Sequence, residues 1–377
     1  MSDPRVERLA RIVCKYSLKL KPGQLVMIEA PALAEPLIVE LVKAALEAGA
    51  IPRTRLTAEG AQAAFVSEAG EEQIAYLLPS ALPEMEALDA RVAIHASWNT
   101  RELSGVDPAK MARAQEARSP VLEMVMRRAA AGELNWCVTA FPCQAFAQDA
   151  AMSLEQYEDF VYRAGWLHLD DPVAAWRAFS EKLHVITERL SKVSRLRVLA
   201  EDTDLTVGVG GRKWTASAGD RNFPDGEVFT GPVETETTGD VRFSFPAIFG
   251  GREVDDVRLR FEGGRVVKSE AAGGEELLQK MLSLDEGASV LGEFAIGTNY
   301  AVERFTKQIL FDEKIGGTCH MAVGAGYPET GSTNHSALHW DMVCDLRSGG
   351  EIHADGEVIY RDGKFLPEFA PDLSVPG

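Results

Sequence analysis

The periodicity of apolar residues changes near residue 197, and this change limits the possible folds more than any other feature of the sequence. Before it, helical spacing alternates with short apolar runs such as "QLVMIEA" (24–30), "ARVAIHAS" (90–97) and "NWCVTAF" (135–141). Alternating strands and helices are typical of a parallel α/β sheet. After it, Gly-Gly and Asp-Gly pairs separate short strand-like segments, as in "VGVGGRKW" and "EIHADGEVIYRDGKF". Such pairs are typical of antiparallel hairpins.

The sequence therefore predicts two domains. An α/β domain with a mainly parallel sheet occupies residues 1–197, and a strand-rich α+β domain, which carries the candidate site described below, occupies residues 198–377. The length supports this division, since 377 residues exceed what a single core usually organises. Hairpins are predicted around the two Gly-Gly pairs in residues 204–219 and 254–270.

Charge, hydropathy and cysteine content argue against several classes of protein. The net charge of −18 disfavours nucleic-acid binding, because phosphate contacts require a basic surface. The sequence has no apolar run of about 18 residues, which a membrane-spanning helix needs, and its N-terminal residues lack the apolar core of a signal peptide. Five cysteines without a Cys-x-x-Cys pair indicate reduced thiols, so we expect a cytoplasmic protein without a membrane partner.

Residues 317–342 contain three of the seven histidines of the chain. If "ALHWDMV" is a strand, its period of two places His339 and Asp341 on one face and apolar side chains on the other. The same reasoning applied to "TCHMAVG" places His320 on the face opposite Cys319. Imidazole and carboxylate ligands together suit zinc, manganese, cobalt or iron, so these two strands predict a metal site.

Two glutamates in apolar surroundings extend this candidate site. Glu227 follows a Pro-Asp-Gly turn, and Glu293 lies within "VLGEFAIG", where alternation predicts that it shares a face with Leu291 and Ala295. A carboxylate inside an apolar strand is costly unless it is paired or coordinates a metal. An exposed position on an edge strand is the alternative for each glutamate, and the apolar neighbours of Glu293 favour a functional role.

Other polar residues near the cluster have simpler interpretations. His335 is predicted to be a loop residue close to the site. Cys319 alternates away from His320, and Cys344 shares the face of Met342. Both cysteines are therefore interpreted as small core side chains rather than as ligands or nucleophiles.

Four segments in this order, "NFPDGEVFTGP", "VLGEFAIGTN", "FDEKIGGTCHMAVGAGYPETG" and "SALHWDM", resemble the signature of the M29 family of metallo-aminopeptidases, the group of aminopeptidases T, S and II. The resemblance is specific over residues 222–343 and diffuse before them. It implies a site for two divalent metal ions (zinc, cobalt or manganese) with these ligands: Glu227, Glu293, His320, His339 and Asp341.

The same resemblance implies catalytic roles for three residues. Glu293 matches a glutamate that bridges the two metals. Tyr327 matches a tyrosine beside the metals and would donate a hydrogen bond to the developing oxyanion. Glu313 matches an acidic residue just before the first histidine ligand and would carry a proton to the leaving amine.

The implied activity is that of a metal-dependent aminopeptidase, a hydrolase that releases N-terminal amino acids from short peptides by means of a metal-activated water. The free α-amine of the substrate would bind a metal. The resemblance also implies a homodimer whose site lies in an enclosed cavity.

Two alternatives follow from the same residues. His320, His339 and Asp341 alone would form the two-histidine, one-carboxylate triad of mononuclear non-haem iron enzymes, and some distant relatives of the family resemble ring-cleaving dioxygenases. A mononuclear iron site has no use for two further glutamates, so their presence favours a two-metal hydrolase. A metal-stabilised binding protein would need a closed ligand shell, and Tyr327 and the surplus carboxylates argue against one.

Overall fold

The computed structural model describes residues 3–375. By their internal packing these residues form two compact units. The first comprises the described residues up to 173 together with residues 219–224, and the second comprises residues 174–218 and those from 225 onward. The chain thus returns to the first unit for one short segment. A domain boundary at residue 197 stays a prediction, because compactness does not test which parts fold on their own.

The helices are numbered in chain order. They are α1 (Pro4–Ile12), α2 (Glu35–Glu47), α3 (Ala61–Glu68), α4 (Glu71–Ile74), α5 (Ala81–Ala87), α6 (Pro108–Ala130), α7 (Gln144–Asp149), α8 (Leu154–Ala164), α9 (Pro172–Leu190), α10 (Glu275–Leu282) and α11 (Ile309–Asp312). Single π- or 3₁₀-helical turns lie at Val13–Ser17, Ala32–Ala34 and Pro328–Thr330. Within residues 3–375, none of these helices is both long and apolar enough to cross a membrane.

The strands are numbered in the same way. They are β1 (Leu25–Pro31), β2 (Ile51–Thr57), β3 (Ala90–His95), β4 (Asn135–Ala140), β5 (Arg195–Ala200), β6 (Thr203–Gly208), β7 (Thr215–Ser217), β8 (Asn222–Phe223), β9 (Glu227–Thr230), β10 (Thr237–Phe243), β11 (Ala247–Phe249), β12 (Arg252–Val254), β13 (Val257–Glu262), β14 (Arg265–Glu270), β15 (Leu291–Gly297), β16 (Thr318–Gly324), β17 (His339–Asp345), β18 (Glu351–Ala354), β19 (Glu357–Arg361) and β20 (Lys364–Phe365).

The first unit is built on a parallel five-stranded sheet in the order β2-β1-β3-β4-β8. Its last strand comes from the returning segment 219–224. Amphipathic helices accompany the strands. For example, α1 begins after Asp3, whose carboxylate accepts a hydrogen bond from the backbone N–H of Arg5, and it buries Leu9 and Ile12. An Asp in this position supplies an acceptor to the first helical turn. These features confirm the predicted α/β domain.

The second unit is rich in antiparallel strands, which confirms the other half of the predicted fold class. One sheet has eight strands in the order β14-β13-β10-β6-β5-β18-β19-β20, and another has five in the order β17-β16-β15-β9-β7. Strands β11 and β12 pair only with each other.

The two predicted Gly-Gly hairpins have different outcomes. Gly263 and Gly264, with φ angles of 56° and 83°, connect the paired strands β13 and β14 as predicted. The hairpin predicted in residues 204–219 is wrong, because β6 pairs with β5 and β10 whereas β7 pairs with β9 in the other sheet. Between them, Trp214 makes an edge-on ring contact with Phe294 at 6.3 Å. Packing onto the second sheet overrides the local turn signal.

The five-stranded antiparallel sheet is deeply buried. Every residue of β9, β15 and β16 is buried, although these strands contain two glutamates and a histidine. Buried polar groups need partners inside the protein. This sheet is therefore the part of the second unit in which polar side chains most need an explanation.

The core of the eight-stranded sheet provides a test of the fold. Phe261 on β13 is fully buried, whereas Val267 on the neighbouring strand is 54% exposed. We expect Phe261→Ala to lower the free energy of unfolding by about 3 to 5 kcal/mol, because it removes a large buried ring and leaves a cavity. Denaturant titration followed by circular dichroism measures the change. Val267→Ala is the control and should shift the midpoint little; equal shifts would contradict the position of Phe261 in the core.

Candidate metal centre

Strand pairing brings the predicted ligands onto one face of the five-stranded antiparallel sheet. In antiparallel pairs, residues directly opposite each other share a face. Each predicted ligand on a strand lies opposite a glycine or an alanine on at least one neighbouring strand: Glu227 opposite Gly297, Glu293 and Asp341 opposite Ala322, His320 opposite Ala295, and His339 opposite Gly324. On their other neighbouring strands, His320 lies opposite Val343 and Glu227 lies opposite Ser217. The glycine and alanine neighbours leave space above the sheet at the point where the polar side chains project.

Among the described residues, six side chains form two groups of three. Within each group, the potential ligand atoms lie within 4.8 Å of one another. The first group consists of Glu227, Glu313 and His320, and the second group consists of Glu293, His339 and Asp341. The two groups adjoin at Glu293. Its Oε1 lies 3.8 Å from His320 Nε2, and its Oε2 lies 3.3 Å from His339 Nε2.

Several polar atoms of the site are buried without a hydrogen bond from the protein. They are both ring nitrogens of His320, Oε2 of Glu227 and Oδ1 of Asp341. Buried polar atoms normally have partners, and each exception needs an explanation. Imidazole nitrogens and carboxylate oxygens are the ligand atoms of divalent transition metals. The residues present therefore fit a metal centre.

The ring of His339 is oriented by a backbone contact. Its Nδ1 lies 2.8 Å from the carbonyl oxygen of Ala325, which accepts a hydrogen bond when Nδ1 carries the proton. The other ring nitrogen, Nε2, then keeps its lone pair and lies 3.3 Å from Glu293 Oε2 and 3.4 Å from Asp341 Oδ2. Histidines that bind metals commonly have such a carbonyl partner, which selects the tautomer.

Proton affinities in the site are strongly perturbed. Burial raises the pKa of Glu227 to about 8. Burial would also raise the pKa of Glu293, but the facing rings of His320 and His339 outweigh it and lower that pKa to about 2. Burial alone would lower the pKa of His320, yet the neighbouring glutamates raise it. Metal ligands must be deprotonated, so a cation bound here would compete with protons for these groups.

Lys314 is a charged residue of the site that the sequence did not predict. Its side chain is 1% exposed, and its Nζ donates to Glu227 Oε1 at 2.5 Å while lying 2.7 Å from Glu313 Oε1 and 3.4 Å from Asp225 Oδ1. Burial alone would lower the pKa of Lys314, but the three carboxylates hold it well above its ordinary value. The only sequence signal was a lysine beside Glu313 in "DEKIGG".

Tyr327 lies beside the second group. Its ring is 5.2 Å from the ring of His339 in an edge-on arrangement and 5.3 Å from the ring of Phe229. Burial and the surrounding carboxylates raise the pKa of the Tyr327 phenol, so it keeps its proton. Thr330 holds the backbone, since its hydroxyl donates to the carbonyl of Tyr327 at 2.6 Å and accepts from the N–H of Gly231 at 3.0 Å.

A bulge corrects one prediction. The register of β15 and β16 shifts between Leu291 and Glu293, so that Leu291 lies opposite Val323 and on the other face from Glu293. The expectation that these two residues share a face is wrong, because a bulge interrupts the alternation. Gly292 occupies the bulge, where an added Cβ would lie 2.4 Å from the carbonyl oxygen of Gly324. Only a glycine fits this close approach of two backbones.

The remaining residues near the cluster lie outside both groups. His335 belongs to neither group, although it lies in the same loop as Tyr327. Cys319 and Cys344 lie opposite each other on the face away from His320, and both are buried free thiols. A hydrogen bond with the Cys344 side chain, together with burial, raises the pKa of Cys319. A raised thiol pKa opposes the thiolate form that ligands and nucleophiles require.

Comparison with known proteins identifies a family and a fold that this chain resembles. A family profile described as "Thermophilic metalloprotease (M29)" matches residues 2–365. Aminopeptidase T of Thermus aquaticus is 30% identical, over 96% of this chain and 96% of that protein. The solved structure of wild-type AmpT from Thermus thermophilus aligns with a TM-score of 0.85 at 27% identity, over 96% of this chain and 99% of the other.

A second solved structure shares the fold. The 2,5-dihydroxypyridine dioxygenase of Pseudomonas putida aligns with a TM-score of 0.63, over 98% of each chain, at 13% identity. Identity at this level shows a common fold and nothing of the chemistry.

The bulge at Gly292 yields a test. We expect Gly292→Ala to lose bound metal and to lower the free energy of unfolding by about 1 to 3 kcal/mol, because the methyl group forces β15 and β16 apart. Metal analysis of the purified protein and denaturant titration measure the two effects. Gly105→Ala is the control, since a Cβ there meets nothing within 4 Å. Unchanged metal content in Gly292→Ala would contradict the proposed dependence of the site on the bulge.

Proposed function

The chain belongs to the thermophilic metalloprotease (M29) family, and on that basis we propose that it is a metal-dependent aminopeptidase that releases N-terminal amino acids from short peptides. The similar proteins named aminopeptidase 2 and aminopeptidase T span nearly its whole length, which supports this proposal. The observation that carries it is the arrangement of two ligand groups on one sheet face, joined by a single glutamate.

We propose that each group holds one divalent metal and that Glu293 bridges the two. The two oxygens of Glu293 face different histidines, His320 and His339, as a bridging carboxylate requires. Asp341 completes the second group, and Glu227 with Glu313 completes the first. Glu313 thereby gains a ligand role beside the proton transfer that family resemblance implies.

Formal charge supports two divalent ions. The site contains one buried ammonium, that of Lys314, and five carboxylates: Asp225, Glu227, Glu293, Glu313 and Asp341. When all are ionised, four negative charges are uncompensated. Buried charges are tolerated only when they are paired or coordinate metals. Two divalent cations would balance them.

The divalent metals of such sites act as Lewis acids and supply a hydroxide near neutral pH from bound water. The residues of this chain would do the rest. Tyr327, which keeps its proton, would donate a hydrogen bond to an oxyanion that develops near His339. The free α-amine of a peptide, in its neutral form, would bind a metal, which would select N-termini.

The dioxygenase alternative is not favoured. It needs His320, His339 and Asp341 as one triad, whereas His320 lies in the first group and the other two lie in the second. The closed-shell binding protein is also disfavoured, because the ring of Tyr327, a residue with a proton to donate, lies 5.2 Å from the ring of His339 beside the second group.

The finer features of the proposal come from the family resemblance. We propose zinc, cobalt or manganese as the metal, a homodimer as the assembly and the cytoplasm as the compartment. The mixed imidazole and carboxylate donors are compatible with each of these metals.

Metal analysis combined with a peptidase assay tests the proposed function. We expect two metals per chain in the active protein, loss of amine release from aminoacyl anilides after chelation, and recovery on adding zinc, cobalt or manganese. The matched N-acetylated anilide should not be cleaved, because its amine is blocked. Full activity after verified metal removal would refute the hydrolase mechanism, and equal turnover of blocked and free substrates would refute aminopeptidase specificity.

The bridging role of Glu293 has its own test. Glu293→Gln keeps the size of the side chain but removes its charge and replaces one bridging oxygen with an N–H donor. We expect metal content to fall from two towards one or none and activity to fall at least about a hundredfold. Glu40→Gln is the control, because Glu40 is equally buried but lies in the first unit. Activity and stoichiometry near wild type in Glu293→Gln would refute bridging.

A further inference from the structure

Lys314 touches only one of the two ligand groups, and we propose that it makes the two metal sites unequal. The inference rests on the proposed two-metal function. Lys314 is a positioning residue: it occupies one oxygen of each carboxylate in the first group. The first group therefore binds its metal more weakly than the second group, fills last and empties first.

The contacts of Lys314 define this role. Its Nζ is 2.5 Å from Glu227 Oε1 and 2.7 Å from Glu313 Oε1. The other oxygen of Glu227, Oε2, has no hydrogen bond and lies 3.3 Å from His320 Nε2. One oxygen of Glu227 thus accepts a hydrogen bond from the ammonium, and the other oxygen keeps its lone pairs available. A carboxylate held in this way offers a metal one oxygen instead of two.

The second group has no comparable restraint within residues 3–375. The charged partners of Glu293 and Asp341 there are histidines, which become neutral when they bind a metal. Both carboxylates therefore keep their full charge and both oxygens for metals.

Electrostatics gives the direction of the effect. The Lys314 ammonium and a divalent cation in the first group compete for the same two carboxylates and repel each other at close range in a buried site. Asp225 offsets part of the ammonium charge, but its contact with Lys314 is longer, at 3.4 Å, than those of the two ligand glutamates. The presence of Lys314 thus lowers metal affinity selectively in the first group.

Lys307 provides a matched comparison within the same segment of chain. Its Nζ forms an ion pair with Glu253 at 2.9 Å, and its side chain is half-buried. Neither Lys307 nor Glu253 belongs to a ligand group. Removal of this lysine changes an ion pair but no metal ligand.

Metal binding by the full-length protein tests the inference. Metal-stripped protein is titrated with Zn²⁺ in competition with a chromophoric chelator. We expect two steps in the wild type, separated by at least about tenfold in affinity. Glu313→Gln should remove the weaker step. Lys314→Met should tighten the weaker step at least about tenfold and leave the tighter one nearly unchanged. Lys307→Met should change neither.

Some outcomes would overturn the inference. The first is that the affinity of the weaker step stays unchanged or decreases in Lys314→Met. The second is that Glu313→Gln loses the tighter step. If Lys314→Met does not fold, Lys314→Gln retains a donor without the charge, and the wild type with Glu313→Gln tests the filling order alone. Amine release by the wild type separates the two proposals. If the wild type is an active peptidase but Lys314→Met leaves both Zn²⁺-binding steps unshifted, only the role of Lys314 is overturned. If the wild type binds Zn²⁺ in two unequal steps but has no peptidase activity, only the proposed function is overturned.

Discussion

The burial of excess negative charge on one face of an antiparallel sheet is the constraint on which the second unit depends. Among the described residues, five carboxylates and one ammonium share a largely buried volume, in which only Glu313 and Asp341 are more than a tenth exposed. An unpaired ion in a protein interior costs several kcal/mol, so these groups persist only if cations or protons lie between them. Burial and the neighbouring charges raise the pKa values of Glu227 and His320 and lower that of Glu293, in keeping with this constraint.

The sheet accommodates these charged side chains through small neighbouring residues and through strand register rather than through further polar groups. Each ligand candidate on a strand lies opposite glycine or alanine on at least one neighbouring strand, which leaves space above the sheet. The bulge at Gly292 then sets the phase of β15, so that Glu293 points towards the histidines while Leu291 points away. A site of this kind depends on backbone register as much as on its ligands.

Groups behind the ligands determine how they act. The Ala325 carbonyl selects which nitrogen of His339 is available, and Lys314 occupies one oxygen each of Glu227 and Glu313. Such partners tune affinity and basicity without touching a metal. Within residues 3–375, the first group contacts a lysine and the second does not, which is the basis of the proposed difference in metal affinity.

The sequence by itself determined the fold class and the strands of the site. Strand–helix alternation and Asp-Gly turns depend on neighbours in the chain, and the period of two shows which side chains of one strand share a face. Only the tertiary structure decided that His320 and His339 belong to different groups and that Lys314 contacts the first group. It also decided that Leu291 and Glu293 lie on opposite faces of the sheet. These features depend on strand register, on a bulge and on the position of the segment that carries Lys314. Each is set by contacts between residues far apart in the chain, which local periodicity does not contain.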